Sequence, residues 1–256
     1  MTRILVIRND KLGDFMLAWP AISLLKHQYP DSHITALVQP YTSPMAKLCP
    51  WIDSILIDDG SGVTRLAGLI KAGQYDASIS LYSELRTALA LRLASVPVRV
   101  GPATKIAQLF LNRRLRQKRS LSQKPEHEYN TDLSRYYIEL RGDSPTEPQP
   151  PPYLQFSADK TQALRKQYFD QHSIPSGTRL IFIHPGSGGS AVNLTLDQFA
   201  RLAEQLAMEI NAHFVITAGP DELETASNLA SRLDHGMCSV YHSMQGLAHF
   251  ALFISI

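Results

Sequence analysis

Cysteine is nearly absent from this chain: Cys49 and Cys238 are the only two among 256 residues. They lie far apart, with no CxxC spacing and no neighbouring ligand cluster, which excludes a disulfide framework and offers no zinc or other metal site. Both are expected to be reduced and structural. Long apolar runs are missing as well. No stretch approaches the ~20 apolar residues that span a bilayer, and the opening Met1-Thr2-Arg3-Ile4-Leu5-Val6-Ile7-Arg8 is too short an apolar run for a signal peptide. The expected location is therefore the cytoplasm. No repeat of fixed period is present. With 44% hydrophobic and 19% charged residues and scattered Gly and Pro, the composition excludes a disordered or fibrous chain.

The length exceeds one average domain, so two cores are expected. The small net charge of +2 conceals an asymmetry: residues 1–142 carry 19 Lys and Arg against 12 Asp and Glu, whereas 143–256 carry 6 against 11. A basic first half raises the local concentration of an anionic partner, such as a phosphorylated lipid headgroup or nucleic acid; uneven surface charge without function is the alternative.

Short β-rich runs alternate with helical spacings through the first half, the pattern of βαβ units and a parallel sheet. Strands are expected at 4–8, 34–39, 54–58, 77–82 and 98–101, and helices at 15–29, 43–48, 63–72 and 84–94. Five prolines within residues 143–152 resist helix and sheet and mark a linker. Beyond it the alternation resumes, with helix 159–171, strand 179–184, helix 196–210, strand 213–217, helix 221–233 and the short segments 239–242 and 245–250. The expected organisation is thus a first Rossmann-like domain at 1–142, a linker at 143–152 and a second, incomplete domain at 153–256, which is shorter than a nucleotide-binding α/β domain usually runs.

Four constellations carry chemistry. The first strand empties into Asn9-Asp10-Lys11-Leu12-Gly13-Asp14. Ligands of open α/β sheets bind beyond the carboxyl ends of the strands, so a carboxylate at Asp14, beside a glycine that admits close approach, suits removal of a proton from a sugar hydroxyl. Alternatively Asp14 only caps the following helix. The second is His184-Pro185-Gly186-Ser187-Gly188-Gly189-Ser190-Ala191, a strand entering a Gly/Ser loop whose backbone N–H groups can hold a pyrophosphate; a flexible connection is the alternative. Gly186, Gly188 and Ala191 satisfy a GxGxxA pattern, but a dinucleotide fingerprint enters its helix at once. Here Val192-Asn193-Leu194-Thr195 intervene, with Thr195 as the expected cap, so nicotinamide-dependent oxidoreduction is disfavoured. In the third, Thr217-Ala218-Gly219-Pro220-Asp221-Glu222, Glu222 could accept hydrogen bonds from ribose hydroxyls or, with Asp221 and Glu224, merely complement a helix dipole. The fourth runs from Lys105 to Lys124, seven basic residues and no acidic one, including Arg113 and Arg114. It can meet phosphates on an acceptor or at a membrane, or remain solvated; only Phe110 offers a stacking platform for RNA, and no RNA-binding motif accompanies it.

Residues 4–8 with Lys11-Leu12-Gly13-Asp14 and Trp19-Pro20-Ala21, the 184–190 loop and Gly219-Pro220-Asp221-Glu222 together resemble glycosyltransferase family 9, the ADP-heptose:lipopolysaccharide heptosyltransferases and their relatives. The resemblance implies an α/β protein of GT-B architecture, two Rossmann-like domains with parallel sheets facing across a cleft. It further implies an inverting enzyme that needs no metal or other cofactor and moves a heptose or another sugar from a nucleotide-sugar, ADP-linked by analogy, to a phosphorylated lipid A/lipopolysaccharide-core acceptor. Asp14 would be the base. Gly186, Ser187, Gly188, Gly189 and Ser190 would hold the donor pyrophosphate, and Glu222 the donor ribose. Lys11, Gly13, Arg113 and Arg114 are the expected acceptor-binding residues, with no nucleic acid as partner and peripheral contact at the cytoplasmic face of the inner membrane. Two departures stand out. Val192 and Leu194-Thr195 replace the cation and Trp-Pro that many members carry after the loop. The sequence also stops at Ser255-Ile256, where members continue into an Asp/Ser-Thr-Gly-x-x-His segment, so a truncated chain, or a non-catalytic remnant that keeps nucleotide or acceptor binding, is the alternative expectation.

Overall fold

The computed structural model describes residues 1–186, 193–234 and 236–256. They divide into two compact units, Met1–Gln155 and Phe156–Ile256. Of the expected donor-loop residues, Ser187, Gly188, Gly189 and Ser190 lie outside the described residues.

The first unit runs β1 (Arg3–Ile7), α1 (Leu12–Met16), α2 (Trp19–Gln28), β2 (His33–Val38), α3 (Ser43–Ala46), β3 (Ser54–Ile57), α4 (Val63–Ala72), β4 (Ala77–Ser80), α5 (Leu85–Leu93), β5 (Val98–Pro102), β6 (Arg113–Leu115) and α6 (Glu126–Leu140). Its six strands lie in the order β3-β2-β1-β4-β5-β6 and pair in parallel throughout. That order reverses beside β1. The loops after β1 and β4 therefore diverge to opposite faces of the sheet and leave a crevice beyond their carboxyl ends, where a doubly wound fold takes its ligand. Ile4, Leu5, Val6 and Ile7 are almost wholly buried because β1 is covered on both faces.

The expected helix at 15–29 is two helices. Pro20, second residue of α2, has no N–H to donate to the Met16 carbonyl and its ring crowds that position, whereas in a first turn it fits. The chain turns at Leu17-Ala18 and restarts. Asp14 is consequently not an N-cap: it lies within α1, whose cap position is Lys11 and carries no side-chain cap bond. Helix α2 is buried from Trp19 to Leu25 because α6 packs along it. The Asn130 amide donates to the Leu17 carbonyl and the Ser134 hydroxyl to that of Ala21. The Pro-rich stretch at 143–152 falls inside the first unit, tied to it by the amides of Thr146 and Gln149, which donate to Gln28 and Ser23. The division between units comes later, after Gln155.

The second unit runs α7 (Ala158–Gln171), β7 (Arg179–Ile183), α8 (Leu196–Glu209), β8 (Ala212–Ala218), α9 (Leu223–Ala230), β9 (Cys238–His242) and α10 (Leu247–Phe253), with a parallel sheet ordered β7-β8-β9. Leu196, Phe199, Ala200, Ala203, Leu206 and Ala207 form one apolar stripe on α8 against Phe214 and Ile216 of β8. Thr195 caps this helix in a reciprocal box with Gln198, as its position ahead of the apolar stripe predicts. Both cysteines are free, and burial pushes the Cys49 thiol up to about 12, so it stays protonated and inert. Among the described residues no helix is long and apolar enough to cross a membrane.

Candidate active site

The apolar run of β1 ends in a charge. Arg8 is 4% exposed, and a guanidinium so far from water must be matched by anions. Three carboxylates surround it: Asp10 at 2.8 Å, Asp14 at 3.1 Å and Glu126, from the first turn of α6, at 3.1 Å. One terminal nitrogen also donates to the Leu81 carbonyl after β4, at 3.1 Å, and to Asn130. Arg119 approaches Glu126 from the other side at 2.5 Å. Arg8 thereby fastens the loop after β1 to the loop after β4 and to α6, and orients Asp14, whose side chain is still 37% accessible.

A cavity of about 520 Å³ opens above this cluster. Arg8, Asp10 and Asp14 line it together with Tyr82, Ser83, Lys105 and Arg119. An accessible carboxylate in a polar cavity that also holds cations can accept a proton from a bound hydroxyl while the cations receive anionic substituents. The loop itself is anchored from below. Asn9 donates to Asp58 at 2.5 Å and to Thr87, and Gln39 donates to the Asn9 carbonyl. Burial works to raise the Asp58 carboxyl, but the guanidinium of Arg86, Asn9 and the Gly60 N–H hold it below the usual carboxylate range.

Asp10 behaves differently. Burial pushes its carboxyl up to about 6 against the pull of Arg8, and the charge of Asp14 adds to the rise. An unfolded Asp titrates near 3.9. The folded state therefore holds the extra proton between about pH 4 and 6, and stability attributable to this group falls as pH rises through that window. Asp10→Asn should flatten this segment of the curve of unfolding free energy against pH, measured by urea denaturation. An unchanged slope would assign the proton elsewhere.

The structure gathers some of the expected acceptor residues and not others. Lys11 and Gly13 are exposed on α1, and no atom lies within 4 Å of where a Gly13 side chain would be. Arg113 and Arg114 belong to the edge strand β6, exposed, and do not line the cavity; Lys105 and Arg119 of the same basic stretch do. Arg8, Asp10, Glu126 and Arg119 escaped the sequence reading as site residues. Arg8 had a signal, a cation closing an otherwise apolar strand. Glu126, 118 positions away, had none.

In the second unit, the carboxyl ends of β7 and β8 meet around Glu222. This residue occupies the cap position of α9 without capping it. Its carboxylate turns back instead to accept from the Gly219 N–H at 2.9 Å and lies 3.4 Å from His184 Nε2. His184 Nδ1 is in turn 3.0 Å from the Thr217 hydroxyl. A Cβ on Gly186 would collide with the Glu222 carboxylate, so it is the glycine that lets the carboxylate lie against this backbone. Gly186 and Glu222, 36 positions apart, thus share one site, and a carboxylate beside a strand end is suited to accept from vicinal hydroxyls.

The model of glycosyltransferase family 9 (heptosyltransferase) matches residues 63–254. A putative glycosyltransferase of Haemophilus influenzae is 42% identical over 255 residues, which is 98% of this chain and 73% of that protein. Lipopolysaccharide heptosyltransferase 3 of Escherichia coli is 33% identical over 110 residues, 40% of this chain and 30% of its own length. Among solved structures, the E. coli ADP-heptose lps heptosyltransferase II superposes with a TM-score of 0.78 at 20% identity, covering 99% of this chain and 76% of that one, so the two units have the GT-B heptosyltransferase fold. With three-quarters of the chain matched by the family model and nearly all of it by the Haemophilus relative, the chain belongs to glycosyltransferase family 9 and is a glycosyltransferase.

Proposed function

We propose that the enzyme moves a heptose or related sugar from an ADP-linked donor to a hydroxyl of an anionic lipopolysaccharide-core acceptor, inverting the anomeric centre. The observation that carries the reading is Asp14, accessible at the cavity edge and fixed by the buried Arg8. The acceptor hydroxyl loses its proton to Asp14 as its oxygen attacks the anomeric carbon. The bond from that carbon to the nucleotide oxygen breaks on the opposite face, which inverts configuration. Lys105 and Arg119, which line the cavity, receive acidic groups of the acceptor, with Lys11 and Gly13, just before Asp14, as further acceptor contacts. Gly186 with Ser187, Gly188, Gly189 and Ser190 meets the departing diphosphate through backbone N–H groups, so no metal is required. Glu222 takes the ribose. The names of the relatives support donor and acceptor class: one of them is an ADP-heptose lps heptosyltransferase, another a lipopolysaccharide heptosyltransferase.

Incubation with ADP-heptose and delipidated core oligosaccharide in the presence of EDTA should release ADP and give a product of inverted configuration. Binding of ADP-heptose without release of ADP would reject the enzymatic reading, and a chelator-sensitive reaction would reject the metal-free one.

The donor assignment has its own test. In Gly186→Ala the new methyl group displaces the Glu222 side chain from the Gly219 N–H, and the flexible carboxylate can swing outward at little cost to folding. Calorimetric affinity for ADP should fall by about tenfold, the value of one charge-assisted hydrogen bond pair to ribose, and Glu222→Gln should do the same. Wild-type affinity in both variants would remove Glu222 from the donor site.

A further inference from the structure

The two oxygens of the Glu222 carboxylate are not equivalent. Both protein groups beside it address Oε2: the Gly219 N–H donates to that atom at 2.9 Å, and His184 Nε2 lies 3.4 Å from it. Among the described residues Oε1 accepts no hydrogen bond, and it is the carboxylate atom nearest to where a Gly186 Cβ would stand. One oxygen is thus held by the protein while the other lies along the glycine backbone.

The imidazole can face Oε2 because its other nitrogen is tied down. Nδ1 is 3.0 Å from the hydroxyl of Thr217, a residue 2% exposed near the end of the middle strand β8. The other acceptor within reach of that hydroxyl, the Ile183 carbonyl, is farther away at 3.3 Å. A carboxylate only accepts, so the ring nitrogen that faces it carries a hydrogen, and in the neutral ring Nδ1 then accepts from the hydroxyl. Thr217 thereby sets the tautomer of His184, and the tautomer sets how Glu222 is held. The chain from Thr217 through His184 to Glu222 joins the ends of β8 and β7 to the start of α9. Both outer members keep contact with water, at 48% side-chain accessibility for His184 and 28% for Glu222, and a pair this exposed adds little to folding. Its use lies in order: a glutamate has several rotatable bonds, and fixing them at the moment a ligand arrives costs affinity.

We propose that His184 and Thr217 are positioning residues of the donor site. With Oε2 held by Gly219 and His184, Oε1 is fixed beside Gly186 and left to accept from the ribose hydroxyls, so a nucleotide that carries these hydroxyls is selected over one that lacks them. The inference rests on the proposed ribose contact of Glu222, through which His184 acts.

Calorimetry with ADP and with its dideoxyribose analogue isolates this contact, since the ratio of the two affinities cancels what base and diphosphate contribute. The wild-type chain should prefer ADP by about tenfold or more, the worth of a charge-assisted hydrogen bond. His184→Ala should reduce the preference to about threefold or less by weakening ADP alone, with the analogue bound as before. His184→Gln, which can place an N–H where Nε2 stands, should restore most of the preference, whereas His184→Asn, whose amide reaches only the place of Nδ1, should not. Thr217→Val keeps the shape and removes the hydroxyl, and should fall between wild type and His184→Ala. In a Glu222→Gln background, His184→Ala should change the ratio no further, as expected of a residue that works through the carboxylate. Unfolding curves of the variants check that each is folded. A preference kept in full by His184→Ala, an equal loss of both nucleotides, or a His184→Gln variant no better than His184→Ala overturns the proposal and leaves Glu222 at the ribose. A wild-type chain that binds the two nucleotides equally would instead reject the ribose contact itself, and the proposal with it.

Discussion

Asp14→Asn should leave unfolding free energy and ADP affinity within experimental error of wild type and lower kcat by about 10²–10⁴-fold, the usual worth of a positioned general base. Asparagine keeps the shape of the side chain and its place beside Arg8, but it cannot take a proton. The cluster tolerates the change because Asp10 and Glu126 still balance the guanidinium. A capping role would predict a different pattern, a loss of stability with transfer preserved, and α1 already shows that the cap position belongs to Lys11. The only helix contribution left to Asp14 is its charge in the first turn, worth a few tenths of a kcal/mol at such an accessible site. Unchanged turnover in the variant, measured as ADP release at saturating donor, would discard the assignment of the base.

What the sequence discloses follows from what each element buries. Strands β1 to β5 each fall within about two residues of expectation, because each is a short β-rich run closed by turn residues, most plainly β1, whose apolar run is buried on both faces. Helix α6 left no such trace. Its buried face is made of Tyr129, Asn130, Thr131, Ser134 and Tyr137 as well as Leu133 and Ile138, so the apolar period is interrupted by polar side chains, of which Asn130 and Ser134 donate to the Leu17 and Ala21 carbonyls. Strand β6 is three residues long and largely basic, below any pattern. The same division holds at the site. Asp14, Gly186 and Glu222 could be singled out because each stands shortly beyond the carboxyl end of a strand, where doubly wound folds place their ligands. Of the residues that fix Asp14, Arg8 alone left a trace, a cation closing an apolar strand; Glu126 and Arg119 left none, since they come near Arg8 only when α6 and the 119–121 turn close over the loop.

That closure makes Arg8 the residue whose loss should be felt most in the first unit. In Arg8→Met the apolar stem is retained and the charge removed, leaving Asp10, Asp14 and Glu126 facing one another with Arg119 alone to balance them. Breaking a buried charge cluster from one side costs about 3–5 kcal/mol, a large share of the stability of an ordinary domain. The direction of its pH dependence separates this from simple loss of packing. Asp10 already carries its proton up to about pH 6 in the presence of Arg8, whose pull opposes the rise. Without that pull the carboxyl should hold its proton to higher pH, so the deficit is greatest where all three acids are ionised and shrinks as pH falls toward 5. Urea unfolding at neutral pH and at about pH 5 measures both values. A packing defect would give the same deficit at each. An electrostatic one should give partial recovery at the lower pH, together with Arg8→Lys lying between wild type and Arg8→Met, because an ammonium restores the charge but cannot reach three carboxylates and the Leu81 carbonyl at once.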